Sequence, residues 1–441
     1  MNRVSCIILA AVFVALPFSG VLCSQNETWY ELNEKAASLC EEGHYDEAAR
    51  FAEQSLEITQ DKFGKNHKYA AIVMNNLAEI YMKQGKFKEA ESLCRRSLEI
   101  KENILGPQDP ETAVSLNSLA GINKYQGRLE EAESLYKKAL AIFEKVYGKD
   151  HRDTATVLNN LCEVYYAQGK LDEAESVCNR AIEIRQKQLG PSHAETLVAQ
   201  NNLAEIYKKE GRIDESGRLY QEIRPVAEKV FGPKHPYYVT LLSNLGGLYE
   251  IEGKYSEAEI IYEKALSIDR ETLGKDHPKV IIDMKNLART YKGAGKYSEA
   301  EFLYRLILES DESTKGKDNI ALVEDLANLA SAYESQYKFL EAEIHYKQAL
   351  SILEKNYGPD DPAVIASLGN FALFYDRRDR NFEAEKFYKR TLEALEKKYG
   401  PEDLVVSDLL ENMQKFYIKI KNIEEAKKIE ERIKDIRAES R

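Results

Sequence analysis

The polar residues of this 441-residue chain that are spaced to do chemistry are asparagines, and they recur at a fixed interval. Asn76, Asn160, Asn202, Asn244, Asn286, Asn328, Asn370 and Asn412 fall on one 42-residue grid, broken only by Ser118. One position earlier stand Asn75, Asn117, Asn159 and Asn201, which give way to Ser243, Lys285, Ala327, Gly369 and Glu411. A carboxamide is donor and acceptor at once. A row of them can grip the backbone of an extended chain whatever its side chains, or bond one repeat to the next, and for the first row both uses stay open. The second row is confined to repeats two to five, so the fold does not require it everywhere; it reads as ligand contact, although recent duplication of those repeats produces the same pattern.

A second constellation is basic. Lys285, Arg289 and Lys292 lie at i, i+4 and i+7, on one face of a helix. Such a stripe can hold an acidic side chain or a C-terminal carboxylate. Its alternative is a solvated face salt-bridged to adjacent repeats, where Glu250, Glu324 and Glu334 occupy equivalent rows.

Other candidate chemistry dissolves into the periodicity. His67, His151, His193, His235 and His277 share a slot with Asp109, Asn319, Asp361 and Asp403, which reads as a helix cap and not a metal ligand. The ten glutamates from Glu47 to Glu425, nine followed by Ala and Glu215 by Ser216, place acids where a helix start favours them. Tyr recurs at the slot of Tyr81 as core packing. Cys94 and Cys178 stand in a slot that elsewhere holds Tyr136, Tyr220, Tyr262 and Tyr304, as buried thiols would; a Cys162–Cys178 disulfide is conceivable. With no phosphate loop and no nucleophile–base set, the expectation is a non-enzyme without metal or cofactor.

The elements that position these residues follow from glycine. Gly64 to Gly400 recur nine times at intervals of 42, and a second grid runs Gly43 to Gly295, continued by Tyr337, Asp379 and Lys421. Between them each repeat reads as two helices. In 109–126 the apolar Val114, Leu116, Leu119 and Ile122 mark one face, Gly127 ends the helix, and Leu135 to Val146 carry the face of a second. Proline beside a capping Asp or His, as in Gly232–Pro236 and Gly358–Pro362, restarts the cycle. The expected fold is all-α: a right-handed α-solenoid of about ten helix pairs over residues 26–438, within a single domain 24–441. Pro225 is the one proline inside a repeat helix, beside an irregular Ser216-Gly217, and predicts a bend. The boundary at 311–319 lacks the proline signature and should be looser; the charged final helix, 423 to about 437, should cap the core.

This grammar resembles the tetratricopeptide repeat in the long 42-residue form of kinesin light chains and similar bacterial proteins. The carrying residues are Leu77-Ala78, Tyr81, Gly85, Phe87, Ala90 and Ser97, recurring as Leu203-Ala204, Tyr207, Gly211, Ile213, Ser216 and Ile223. The resemblance implies that the first helix of each pair lines a concave groove, and that asparagines of the first row there contact the backbone of a bound peptide. The heptad coiled coil of kinesin light chains is replaced here by an apolar leader, so motor attachment does not carry over.

That leader sets the compartment. Arg3, the apolar run Val4 to Phe18 and the breakers Pro17, Ser19 and Gly20 read as a signal peptide over 1–23, cut before Ser24, leaving no membrane span. The expected location is periplasmic or secreted, and the sequon Asn26-Glu27-Thr28 is open to glycosylation where the host can perform it. A formal net charge of −12 argues against a nucleic-acid partner held by a basic surface. The residues point to a protein or peptide partner: a scaffold or adaptor, or alternatively a peptide or glycan sensor that changes curvature at Pro225. The sequence is silent on oligomeric state.

Overall fold

The computed structural model describes residues 27–439. The leader, with Cys6 and Cys23, and Asn26 of the sequon lie outside them. Among the described residues there are twenty helices and no strand. The chain divides into two compact units, one through Glu252 and one from Gly253.

The first unit holds α1 (Glu27–Glu41), α2 (Tyr45–Phe63), α3 (Lys68–Lys83), α4 (Phe87–Leu105), α5 (Pro110–Tyr125), α6 (Leu129–Tyr147), α7 (Arg152–Gln168), α8 (Leu171–Leu189), α9 (Ala194–Lys209), α10 (Ile213–Phe231) and α11 (Pro236–Ile251). The second holds α12 (Tyr255–Leu273), α13 (Pro278–Gly293), α14 (Tyr297–Lys315), α15 (Leu322–Ser335), α16 (Phe339–Tyr357), α17 (Pro362–Asp376), α18 (Asn381–Tyr399), α19 (Leu404–Lys419) and α20 (Ile423–Glu439). This is an all-α solenoid of about ten two-helix repeats. In the first unit each odd helix also touches the next odd helix, from α1 to α11, so the odd helices form its tighter, inner layer.

Local chemistry explains the punctuation. Each of the five loop histidines turns Nδ1 to accept the N–H two residues on, at 3.1–3.3 Å. Asp109, Asp361 and Asp403 do the same through Oδ1 at 2.8 Å. The shared slot is therefore a cap, and it satisfies a backbone donor that the first turn of a helix leaves orphaned. At the other end Gly127 takes φ +78°, and the Arg128 N–H reaches the Asn123 carbonyl at 2.9 Å. Tyr337, Asp379 and Lys421 adopt the same left-handed turn at φ 61°, 53° and 62°. The looser start foreseen at 311–319 is visible as a late α15: Asn319 still caps Ala321 at 2.9 Å, but regular helix begins only at Leu322.

Helices pair through the alanine that follows each first-turn glutamate; Ala90, Ala132, Ala174 and Ala258 are wholly buried. The recurrent tyrosines clamp four odd helices to the even helix before them: Tyr81, Tyr291, Tyr375 and Tyr417 donate to Glu53, Glu263, Glu343 and Glu385 at 2.6–3.0 Å. Pro225 lies exposed within α10, yet that helix runs unbroken from Ile213 to Phe231. Gln221, whose carbonyl loses its donor to Pro225, is also exposed, so water can take the place of the missing bond. Ile429, Ile433 and Ile436 of α20 are buried against the core that precedes them.

Candidate functional site

In the first unit the two asparagine rows bond to each other across repeats. Asn160 donates through Nδ2 to Asn117 Oδ1 at 3.0 Å, Asn202 to Asn159 at 3.2 Å and Asn244 to Asn201 at 3.2 Å. The series starts one repeat earlier than the sequence rows suggest: Asn76 donates to Asn33 at 3.1 Å, and Asn33 lies one period before Asn75. Asn75 donates to Ser118 Oγ at 3.0 Å, which accounts for serine at the break in the first row. Asn159 and Asn202 are 1% and 2% exposed, and Asn160 and Asn201 are equally covered. Asn76, Asn117 and Asn244 are half-buried. In the second row Asn117, Asn159 and Asn201 thus supply the acceptors of an inter-repeat ladder, while Asn75 takes the donor's part toward Ser118.

Charges back this ladder from inside. Asn159 also donates to Glu163 Oε1 at 3.2 Å and accepts from Arg185 Nη1 at 3.4 Å. Glu163 is ion-paired to Lys124. Burial lifts the Glu163 carboxyl above its ordinary range against the pull of Lys124. The four cysteines among the described residues are buried and free; Cys162 is hydrogen-bonded to Cys178, and that bond with burial raises its thiol well above the ordinary value.

The basic stripe of the second unit is half-buried, and each of its members has a partner within the protein. Lys285 Nζ lies 2.5 Å from Asp325 and 3.9 Å from Asp311. Arg289 donates to Asn286 Oδ1 at 3.2 Å, and Lys292 to Ser331 Oγ at 2.5 Å. Burial holds the Lys292 ammonium below its ordinary value, with Glu334 pulling the other way. Of the two uses open to this stripe, pairing with the adjacent repeat is the one Lys285 makes here.

Beyond Lys285 the ladder has lost its acceptors. The slots that should receive Asn328, Asn370 and Asn412 hold Lys285, Ala327 and Gly369, none of which has a side-chain acceptor. These three amides make no side-chain hydrogen bond among the described residues. Asn370 is exposed, at the edge of a cavity of about 420 Å³ between α15, α16 and α17. Its floor is Tyr346, Leu353, Phe371 and Phe374; small Ala327, Ala349 and Ala366 leave the room, and Glu334 and Arg377 stand at the mouth. The sequence signal for this site was the end of the second row, since Ala327, which breaks the ladder, is also one of the small residues lining the cavity. Among the described residues no cluster of three His, Cys, Asp or Glu side chains could hold a metal ion, and no helix is long and apolar enough to cross a membrane.

A family model described as Tetratricopeptide repeat matches residues 27–81, 69–145, 116–187, 153–215, 195–271, 240–313 and 322–397. None of the curated proteins matches the chain in sequence. Among solved structures, kinesin light chain nearly identical TPR-like repeats of Podosopora anserina share 24% identity, over 47% of this chain and 98% of theirs, at a TM-score of 0.44. A Rap protein complexed with Competence and Sporulation Factor is 16% identical, covers 84% of this chain and 98% of its own, and has a TM-score of 0.53. The apo quorum sensor NprR from B. thuringiensis is 13% identical, with 84% and 99% covered and a TM-score of 0.53. At these identities the likeness is one of fold.

Proposed function

The chain belongs to the tetratricopeptide repeat family, and on that premise we propose that it is an exported, non-catalytic scaffold holding an extended segment of another protein along its odd helices. The observation that carries the reading is the set of three unpartnered amides, Asn328, Asn370 and Asn412, one per repeat on successive odd helices. A carboxamide with no partner inside the protein offers its donor and acceptor outward, and amides spaced by one repeat suit the regular backbone of an extended chain. The cavity beside Asn370 takes one apolar side chain of that segment. The ladder amides of the first unit are spent between repeats, so the contact set moves to the second unit, with the half-buried Asn76, Asn117 and Asn244 as lesser contributors. Export rests on the leader over 1–23, and the mature mass should correspond to a start at Ser24.

The test is a pull-down with the mature chain from the compartment it reaches, repeated with Asn328→Ala/Asn370→Ala/Asn412→Ala. Each backbone contact contributes about 0.5–1.5 kcal/mol, so the triple variant should bind from about ten-fold to about a thousand-fold more weakly. Its melting temperature should be unchanged, because these amides hold nothing inside the protein. Equal affinity for the retained partner would sink the reading.

A further inference from the structure

The even helices of the second unit carry an exposed apolar row that the peptide-binding reading does not use. Ile260 on α12, Phe302 on α14 and Ile344 on α16 occupy one slot in three successive repeats, and are 66%, 60% and 55% exposed. Leu340 and Phe382, at a neighbouring slot on α16 and α18, extend it at 73% and 80%. Single exposed apolar residues are ordinary on any protein surface. A row repeated in register is different, because the same slot on the first unit's even helices holds Arg50, Ser92, Ser134, Ser176 and Arg218.

The surface beneath is common to the fold. A hollow of about 580 Å³ beside Phe302 opens onto Leu266, Leu287 and Leu303. Its counterpart five repeats earlier, about 630 Å³, opens onto Leu56, Leu77 and Leu93, with Ser92 where Phe302 would stand. The hollow comes with the repeat; the apolar row has been added to it.

Charge flanks the row with opposite signs on its two sides. Three residues before each apolar member stand exposed Glu257, Glu299 and Glu341; three or four after stand exposed Lys264, Arg305 and Lys347. On a helix these offsets share one face. Lys347 also reaches Glu343 on its own helix at 2.6 Å, which leaves its charge at the row's edge. We propose that this face binds a second copy of the chain through a two-fold axis lying along the row. Such an axis lays apolar row on apolar row and sets each acid opposite the base of the same helix in the second copy, Glu299 facing Arg305. An axis across the row would set acid against acid, so the charges select one isologous pairing.

Sedimentation of the full mature chain over a concentration series tests this. The wild type should pass from one to two chains per particle as concentration rises. Phe302→Glu should raise the dissociation constant by at least about ten-fold at unchanged circular dichroism, since the side chain is exposed. Ile344→Lys serves if that variant fails to fold. Glu299→Arg alone should weaken association, and Glu299→Arg/Arg305→Glu should restore it to within about three-fold of wild type. A chain that stays monomeric throughout overturns the proposal, also where a different protein is found on this face. So does a dimer indifferent to Phe302→Glu, or a double variant no better than the single.

Discussion

Asp325 on α15 and Asp311 on α14 share Lys285 of α13, and Lys315 closes on Asp311 at 2.6 Å. Burial pushes the Asp325 carboxyl up, the Lys285 hydrogen bond and charge offset part of that, and the neighbouring Asp311 adds to it, leaving Asp325 raised to about 6. Burial pulls Asp311 the same way, but its bonds from Lys315 and Asp325 and the two ammonium charges outweigh it and hold it below its ordinary value. For Asp325 the folded chain binds the proton more tightly than the unfolded chain. Its contribution to stability is fully present below about pH 4 and is lost as pH rises through about 6. Asp311 has the opposite sign and loses its contribution on acidification. The stability of wild type relative to Asp325→Asn, from urea midpoints, should therefore decline between about pH 4 and about pH 6 and be level above. A difference independent of pH across that window would show that the proton is not held there. The sequence displayed Lys285 plainly but not its counter-charges, because Asp311 and Asp325 meet it only when three helices pack. Asn33 was legible by arithmetic alone, one period before Asn75, whereas the burial of Asn159 and Asn202 was not: spacing assigns a residue to a face without saying how closely the next repeat covers it.

At the scale of elements, boundaries were the most readable feature, since caps and left-handed turns depend on a few local residues. Every even helix from α2 to α18 is 19 residues long, including α10 with its internal Pro225. Proline does not break α10 because the helix is held by burial of Tyr220, Ile223 and Ala227 on its other face. The cost of the lost bond remains in the folded state. Pro225→Ala should raise stability by about 1–3 kcal/mol, read as a higher melting temperature. No gain would mean that α10 is not regular helix through residue 225. What periodicity hid is an ion pair that joins an even helix to the odd helix after it in three of the repeats. Lys101 meets Glu111 at 3.2 Å and Arg185 meets Glu195 at 3.5 Å, while at the same slots Asp269 meets Lys279 at 2.9 Å with the signs exchanged. Buried pairs of this kind add little net stability but penalise a helix that packs against the wrong neighbour. In a chain of repeats that share one backbone pattern, reversing the sign is one way to tell the repeats of one unit from those of the other.

Across the whole molecule, a solenoid draws its stability from each repeat and its nearest neighbours, so cooperativity need not extend the length of the chain. The two compact units give that expectation a place to show. Asn159→Ala leaves the Asn202 donor and the Arg185 guanidinium of the first unit short of a partner, at a cost of about 1–3 kcal/mol. Phe416→Ala empties a buried aromatic site in the second, at about 3–5 kcal/mol. Denaturant unfolding followed by hydrogen exchange should resolve more than one transition. Asn159→Ala should lower the midpoint for amides of α5 to α9 and leave α17 to α20 in place, and Phe416→Ala should do the reverse. If both substitutions moved every amide together, the chain would unfold as one cooperative body, and a segment bound in the second unit would then stabilise the first as strongly as its own repeats. If the midpoints separate, binding at Asn328, Asn370 and Asn412 protects the second unit alone, and the interlocked amides of the first unit serve to hold it rigid whether or not the partner is present.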